Sequence, residues 1–230
     1  MDSEQGNDMS DNVSANPFDA ETWAQLPSFF DNLPEPVKLI MWGDEGMSSN
    51  EKKAATICRL LADRFEGITF QTLPRRVNFH YYPVIGIMGD NGPEQEWIDF
   101  DVRIIGLPTG YQMTSFVTAV QSVALRGMTL EARTRIQLSR LKTDIRLELI
   151  SSAADEHGPI MAQMVFNMAV VNPHVRSFLI MSDQFPEAVL RYSVNYVPHV
   201  VINGRVHVEG VVSEEILLKQ MALAAAADAK

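Results

Sequence analysis

Apolar strand-like runs alternate with helix-like runs through most of this 230-residue chain, and the order of elements recurs in its second half. Val37–Trp42 reads as a strand, and Ser48-Ser-Asn-Glu51 as the capping box of a helix carrying Ala54, Ile57, Cys58, Leu61 and Phe65 at helical spacing. Strands are expected at 68–70, 84–88 and 102–105, with turn residues Gly89–Pro93 before the last of them. A helix follows with Met113, Phe116, Val117, Val120 and Val123. From residue 145 the series begins again: strand 145–150, helix 159–171, strand 175–181, helix 186–192, strands near 199–203 and 206–209, and a last helix from Ser213. Such alternation predicts an α/β fold with helices layered on a sheet, and the repeated order suggests an internal duplication.

The ends and the joint differ from the two halves. Residues 1–16 are small, polar and acidic, too poor in apolar groups to fold alone. They read as a disordered tail that either stays solvated or orders on a basic partner. Phe18–Asn32 reads as an amphipathic helix with Trp23, Leu26, Phe29 and Phe30 on one side, stopped by Leu33-Pro-Glu-Pro36. Thr129–Leu141, rich in Arg and Leu, reads as a connecting helix. The expected divisions are therefore 1–16, 17–128, a connecting segment 129–143, and 144–227.

A net charge of −10 argues against broad nucleic-acid binding, which needs a basic surface. No apolar run is long enough to span a membrane, and the amino terminus lacks a basic secretory region, so a cytoplasmic protein is expected. With one cysteine, Cys58, no intramolecular disulfide can form. Cys58 falls on the apolar face of its helix, where a free thiol acts as a small hydrophobe. Met161, Met164 and Met168 also follow helical spacing and read as core. No phosphate-cradling glycine loop, nucleotide fingerprint or Ser/His/Asp arrangement is present, and no cofactor is expected.

Gly158-Pro159 followed by Met168-Ala-Val-Val-Asn-Pro173, then Val197-Pro198 and Val201-Ile-Asn-Gly204, resembles the second half of a tandem thioredoxin-fold family. This family includes the N-terminal domain of the alkyl hydroperoxide reductase flavoprotein subunit and archaeal protein disulfide oxidoreductases. The stretch Arg103–Phe116 is similar to the family's link between subdomains, and the likeness runs over about residues 20–225. It implies two tandem thioredoxin-like (glutaredoxin-like) subdomains, each a mixed β-sheet flanked by helices. It also implies that Val197, Pro198 and His199 form a cis-proline loop where a partner chain docks, with Tyr82-Pro83 as its first-half counterpart.

The family's two redox cysteines fall at Asp155 and Gly158, within Asp155-Glu156-His157-Gly158-Pro159. Neither residue can form a mixed disulfide, which needs a thiolate. Asp155 would place a carboxylate at the helix N-terminus, where it could serve as N-cap. Asp155, His157 and His199 are the one set of candidate metal ligands; otherwise the two histidines face solvent. The resulting expectation is a redox-inactive protein that binds protein partners as an accessory or assembly subunit, alone or as an oligomer. The alternative is a thiol-disulfide oxidoreductase using Cys58 or a partner's cysteine.

Overall fold

The computed structural model describes residues 18–90 and 97–228. The acidic segment 1–16 and the turn residues Asn91–Pro93 lie outside the described residues. In chain order the elements are α1 (Ala20–Phe30), β1 (Val37–Trp42), α2 (Ser49–Arg64), β2 (Ile68–Leu73), β3 (Val84–Gly89), β4 (Ile98–Ile105), α3 (Gln112–Ala124) and α4 (Ala132–Leu138). The second half adds β5 (Ile145–Ser151), α5 (Gly158–Val171), β6 (Val175–Met181), α6 (Pro186–Tyr192), β7 (His199–Ile202), β8 (Val206–Glu209) and α7 (Glu214–Asp228).

All eight strands form one sheet in the order β2-β1-β3-β4-β6-β5-β7-β8. The duplication is visible in the pairing. β1 runs parallel to β2 and antiparallel to β3, which is antiparallel to β4; β5, β6, β7 and β8 repeat that scheme. A parallel pairing of β4 with β6, from Val102↔Ser177 to Ile105↔Ile180, joins the two half-sheets into a continuous surface.

Strand alternation sorts the apolar side chains onto two faces. Leu39, Met41, Ile85, Ile87, Leu147 and Leu149 point into the larger core with residues of α1, α2, α3, α5 and α7. Ile40, Trp42, Val84, Met88, Phe178 and Ile180 point the other way, under Phe79, Tyr81 and Tyr82 of the β2–β3 connection and Phe185 and Ala188 of the α6 region. At ~25 cal/mol per Å² of apolar surface, both layers contribute to holding the sheet.

Local chemistry accounts for the helix ends. The Asp19 carboxylate accepts from Thr22 N at 2.8 Å and caps α1. At α2, Ser48 Oγ accepts from Glu51 N at 3.2 Å, so the expected N-cap forms, but the Glu51 carboxylate accepts the Ser48 hydroxyl at 2.8 Å and the Asp44 amide in place of the Ser48 backbone N–H of a full capping box. Two elements differ from the sequence expectation. The connecting helix is only Ala132–Leu138, because Asn172 Nδ2 donates to Leu138 O at 2.5 Å and Leu141 O at 3.1 Å, ending it with a side chain from the far end of α5. β4 starts at Ile98 rather than 102, past a register shift opposite Ile87/Met88 and a left-handed Asp101 (φ 55°). Phe29, expected on the apolar side of α1, is 41% exposed, while Leu26 and Phe30 carry the burial.

Candidate functional site

Residues 152–157 form a closed loop between β5 and α5. Asp155 is 8% exposed. Its Oδ2 accepts from Ser151 Oγ at 2.7 Å and its Oδ1 from His157 N at 3.1 Å. From 40 residues earlier, the fully buried Gln112 reaches across and donates Nε2 to Ser152 O and Asp155 O, both at 3.0 Å. Ser115 Oγ fixes the Gln112 amide by donating to its Oε1 at 2.7 Å. A second tie runs from Tyr111 N to Ala153 O at 3.0 Å. It needs Gly110, whose φ is +56° and whose added Cβ would lie 2.2 Å from Ala153 O.

Gly158 is equally constrained. A Cβ there would sit 2.3 Å from Ser151 Oγ, 2.5 Å from Gln112 Nε2 and 3.0 Å from Asp155 Oδ2. The space a side chain at 158 would need is filled by the polar network that holds the loop.

Three expectations change here. Asp155 is not the N-cap of α5; His157 is, with φ −93° and no side-chain cap bond. The carboxylate turns back toward Ser151 because a buried acid needs donors, and the Ser151 hydroxyl and His157 amide supply them. His199 does not face solvent either. It is 2% exposed, with Nε2 2.8 Å from His207 Nδ1 across the β7–β8 hairpin and Nδ1 unpartnered. Burial pushes the His199 imidazole below its ordinary range, and His207 adds to this. The set Asp155, His157 and His199 is not brought together: among the described residues no group of three or more His, Cys, Asp or Glu could hold a metal ion. His157 and Glu156 are exposed, 3.8 Å apart. Of the other histidines, His174 Nδ1 lies 2.9 Å from Asp144 Oδ1.

Both Tyr82–Pro83 and Val197–Pro198 are cis. The pairing of Ile150 with His199 puts Pro198 beside Ser151, directly under the closed loop. Three segments that meet the loop or flank Pro198 in sequence carry large apolar side chains in water: Tyr111 (51% exposed), whose amide donates to Ala153 O, Ile160 (50%) in the first turn of α5, and Tyr196 (73%) two residues before Pro198.

The first-half counterpart is a different construction, and the sequence does not reveal it. Glu51 is fully buried and accepts Arg75 Nε at 2.9 Å and Nη2 at 2.6 Å, as well as Asp44 N at 2.9 Å. Burial alone would raise the Glu51 carboxyl; Arg75, the Asp44 amide and Ser48 outweigh it and hold the group below its ordinary range. Only Glu51's place in the capping box hints at this role. Cys58 is completely buried, and desolvation pushes its thiol far above the ordinary range.

Two repeated β-half-sheets, each with an X–cis-Pro bond entering its third strand, define a tandem thioredoxin-fold protein, and comparison with known proteins agrees. A thioredoxin domain family matches residues 156–222. The chain is similar to the alkyl hydroperoxide reductase component AhpF of Pseudomonas putida, 27% identical over 207 residues, covering 87% of this chain and 37% of that protein. The Pseudomonas aeruginosa counterpart is 28% identical over 214 residues, covering 92% and 39%. The chain thus spans a little over a third of the length of these relatives. Among solved structures, the N-terminal domain of the Enterococcus faecalis alkylhydroperoxide reductase superposes with a TM-score of 0.79 at 20% identity, covering 89% of this chain and 99% of that one. A protein disulfide oxidoreductase from Aeropyrum pernix superposes at 0.77 with 19% identity, covering 91% and 94%. Among the described residues, no helix is long and apolar enough to cross a membrane.

Proposed function

We propose that this chain acts by binding protein rather than by thiol-disulfide exchange, as an accessory or assembly subunit of a larger complex. The observation that carries this reading is the filled site. The Cβ of a cysteine at Gly158 would collide with Ser151 and Gln112, and Asp155 is spent on holding the loop. Thiol chemistry would need an accessible thiolate, and the one sulfhydryl of the chain is buried with its ionisation suppressed. The surface beside cis-Pro198, by contrast, keeps three exposed apolar side chains, Tyr111, Ile160 and Tyr196. Clustered aromatic and aliphatic side chains left in water are the ordinary mark of a protein contact. The relatives bear the name of a reductase component, so a partner in a redox or metabolic complex fits the reading.

Photo-crosslinking tests it. A benzophenone amino acid at Tyr111, Ile160 or Tyr196, expressed in native cells, is expected to give a discrete protein adduct at all three positions. The same probe at Val77, fully exposed in the β2–β3 connection of the other half, is the control. Equal labelling at Val77, or no adduct at the three sites, rejects the reading. Insulin reduction abolished by Cys58→Ser would reject it as well.

A further inference from the structure

We propose that the groove between α4 and α7 is a second docking surface, built for an acidic amphipathic segment of a protein partner. The argument begins with charge. In a chain of net charge −10, the stretch 131–142 holds Arg133, Arg135, Arg140 and Lys142 against a single acid, Glu131. Arg133 and Arg140 both line the groove, are exposed, and make no ion pair among the described residues. Acids outnumber bases 29 to 19 overall, so a stretch with four bases and one acid runs against the balance of the chain.

The floor supplies the second half of the recognition. Leu138 and Met221 are each 1% exposed and sit beneath Leu141, Leu218 and Ala222, in a cavity of about 410 Å³. On the flanks, Ile136 is 56% and Leu223 60% exposed. Arg133 on α4, and Arg140 and Leu141 just past its end, line this side of the groove, so cations and an apolar side chain share it. The walls are tied before anything binds, because Glu131 N donates to the Glu214 carboxylate at 3.2 Å and joins the start of α4 to the start of α7. Across the groove, Lys219 is already paired with Glu215 at 3.2 Å, leaving the two arginines as the unmatched charges.

A basic rim over an apolar floor is complementary to a segment with carboxylates on its edges and aliphatic side chains on its inner face. The recess favours a peptide over an anionic bilayer, since a flat headgroup surface cannot enter a cavity that accepts one or two side chains. This surface is separate from the one beside Pro198 and stands or falls independently of it.

The test is fluorescence anisotropy with the intact chain and a labelled 15-residue helix of Glu and Leu at amphipathic spacing, against the same peptide with Lys for Glu. The Glu/Leu peptide is expected to bind at least tenfold tighter than the Lys/Leu peptide and to weaken severalfold between 50 and 300 mM salt. The charge reversal Arg133→Glu/Arg140→Glu is expected to abolish the preference with an unchanged melting temperature, both side chains being exposed. The milder Arg140→Gln, expected to weaken binding severalfold, replaces it if the double variant misfolds. Equal binding of the two peptides, insensitivity to either arginine change, or binding only to phosphatidylglycerol vesicles would overturn the proposal.

Discussion

A single methyl group at position 158 tests whether the site is filled or merely lacks sulfur. In Gly158→Ala the new Cβ must displace Ser151 Oγ from 2.3 Å and Gln112 Nε2 from 2.5 Å, while Asp155 Oδ2 at 3.0 Å is also crowded. None of the three is the loose end of a long exposed side chain: Ser151 and Gln112 are fully buried and Asp155 nearly so. Overpacking of this kind costs ~1–3 kcal/mol. Alanine's advantage over glycine inside a helix, ~0.8–1.0 kcal/mol, works in the opposite direction but is only partly realised at the first helical residue. The net expectation is a loss of ~1–2 kcal/mol, a drop in melting temperature of roughly 2–8 °C for a chain of this size. Urea denaturation measures it directly. Removing the obstructing hydroxyl with Ser151→Ala should reduce the cost of the second substitution, so the double-mutant cycle should give a coupling of at least ~0.5 kcal/mol. If Gly158→Ala is as stable as the parent, or more so, the site is open and the argument from filled space fails.

Arg75→Ala leaves the Glu51 carboxylate buried without its cation; breaking buried pairs costs ~3–5 kcal/mol, and partial exposure of Arg75 lowers the expectation to ~2 kcal/mol, read by urea denaturation at pH 7. The pair's contribution is present above the ordinary glutamate range, where the folded carboxyl lies below its unfolded value, and it is lost as pH falls through the folded value; Arg75→Ala should show less of this acid loss. The same imbalance, in a higher pH window, holds at His199, which burial keeps neutral in the fold while the unfolded chain takes up a proton, so stability should be full above ~pH 6.5 and decline below it. His199→Phe should flatten that decline between pH 6.5 and 5, and an unchanged slope would remove His199 from the explanation. Cys58 should react with a thiol reagent only at the global unfolding rate, and Cys58→Ala should leave insulin reduction at background; fast labelling of the native protein would contradict its burial.

What the sequence revealed and what it hid divide along the separation of the residues involved. Strands such as Val37–Trp42 and Val175–Met181 are runs of adjacent apolar residues, and the N-cap at Ser48 spans one helical turn, so a local reading finds them. The first half of β4 escaped, while residues 102–105 were found, because residues 99–101 read Asp-Phe-Asp, acids that become legible only once Arg103 is seen beside them, 2.5 Å from Asp99. The site residues show the same limit. The resemblance singled out Asp155, Gly158 and Pro198, but the sequence did not give the direction in which they face. That direction depends on Ser151 at the end of one strand, Gln112 in the first turn of a helix from the other half, and a histidine pair closed across a hairpin. The Asp155 carboxylate stays at the helix N-terminus, where its Oδ1 accepts from His157 N, but the Ser151 hydroxyl turns its other oxygen into the loop. That orientation matters for function, since a carboxylate only 8% exposed braces the loop and does not face an incoming partner. On the proposed reading, Asp155 stiffens the surface on which a partner would rest.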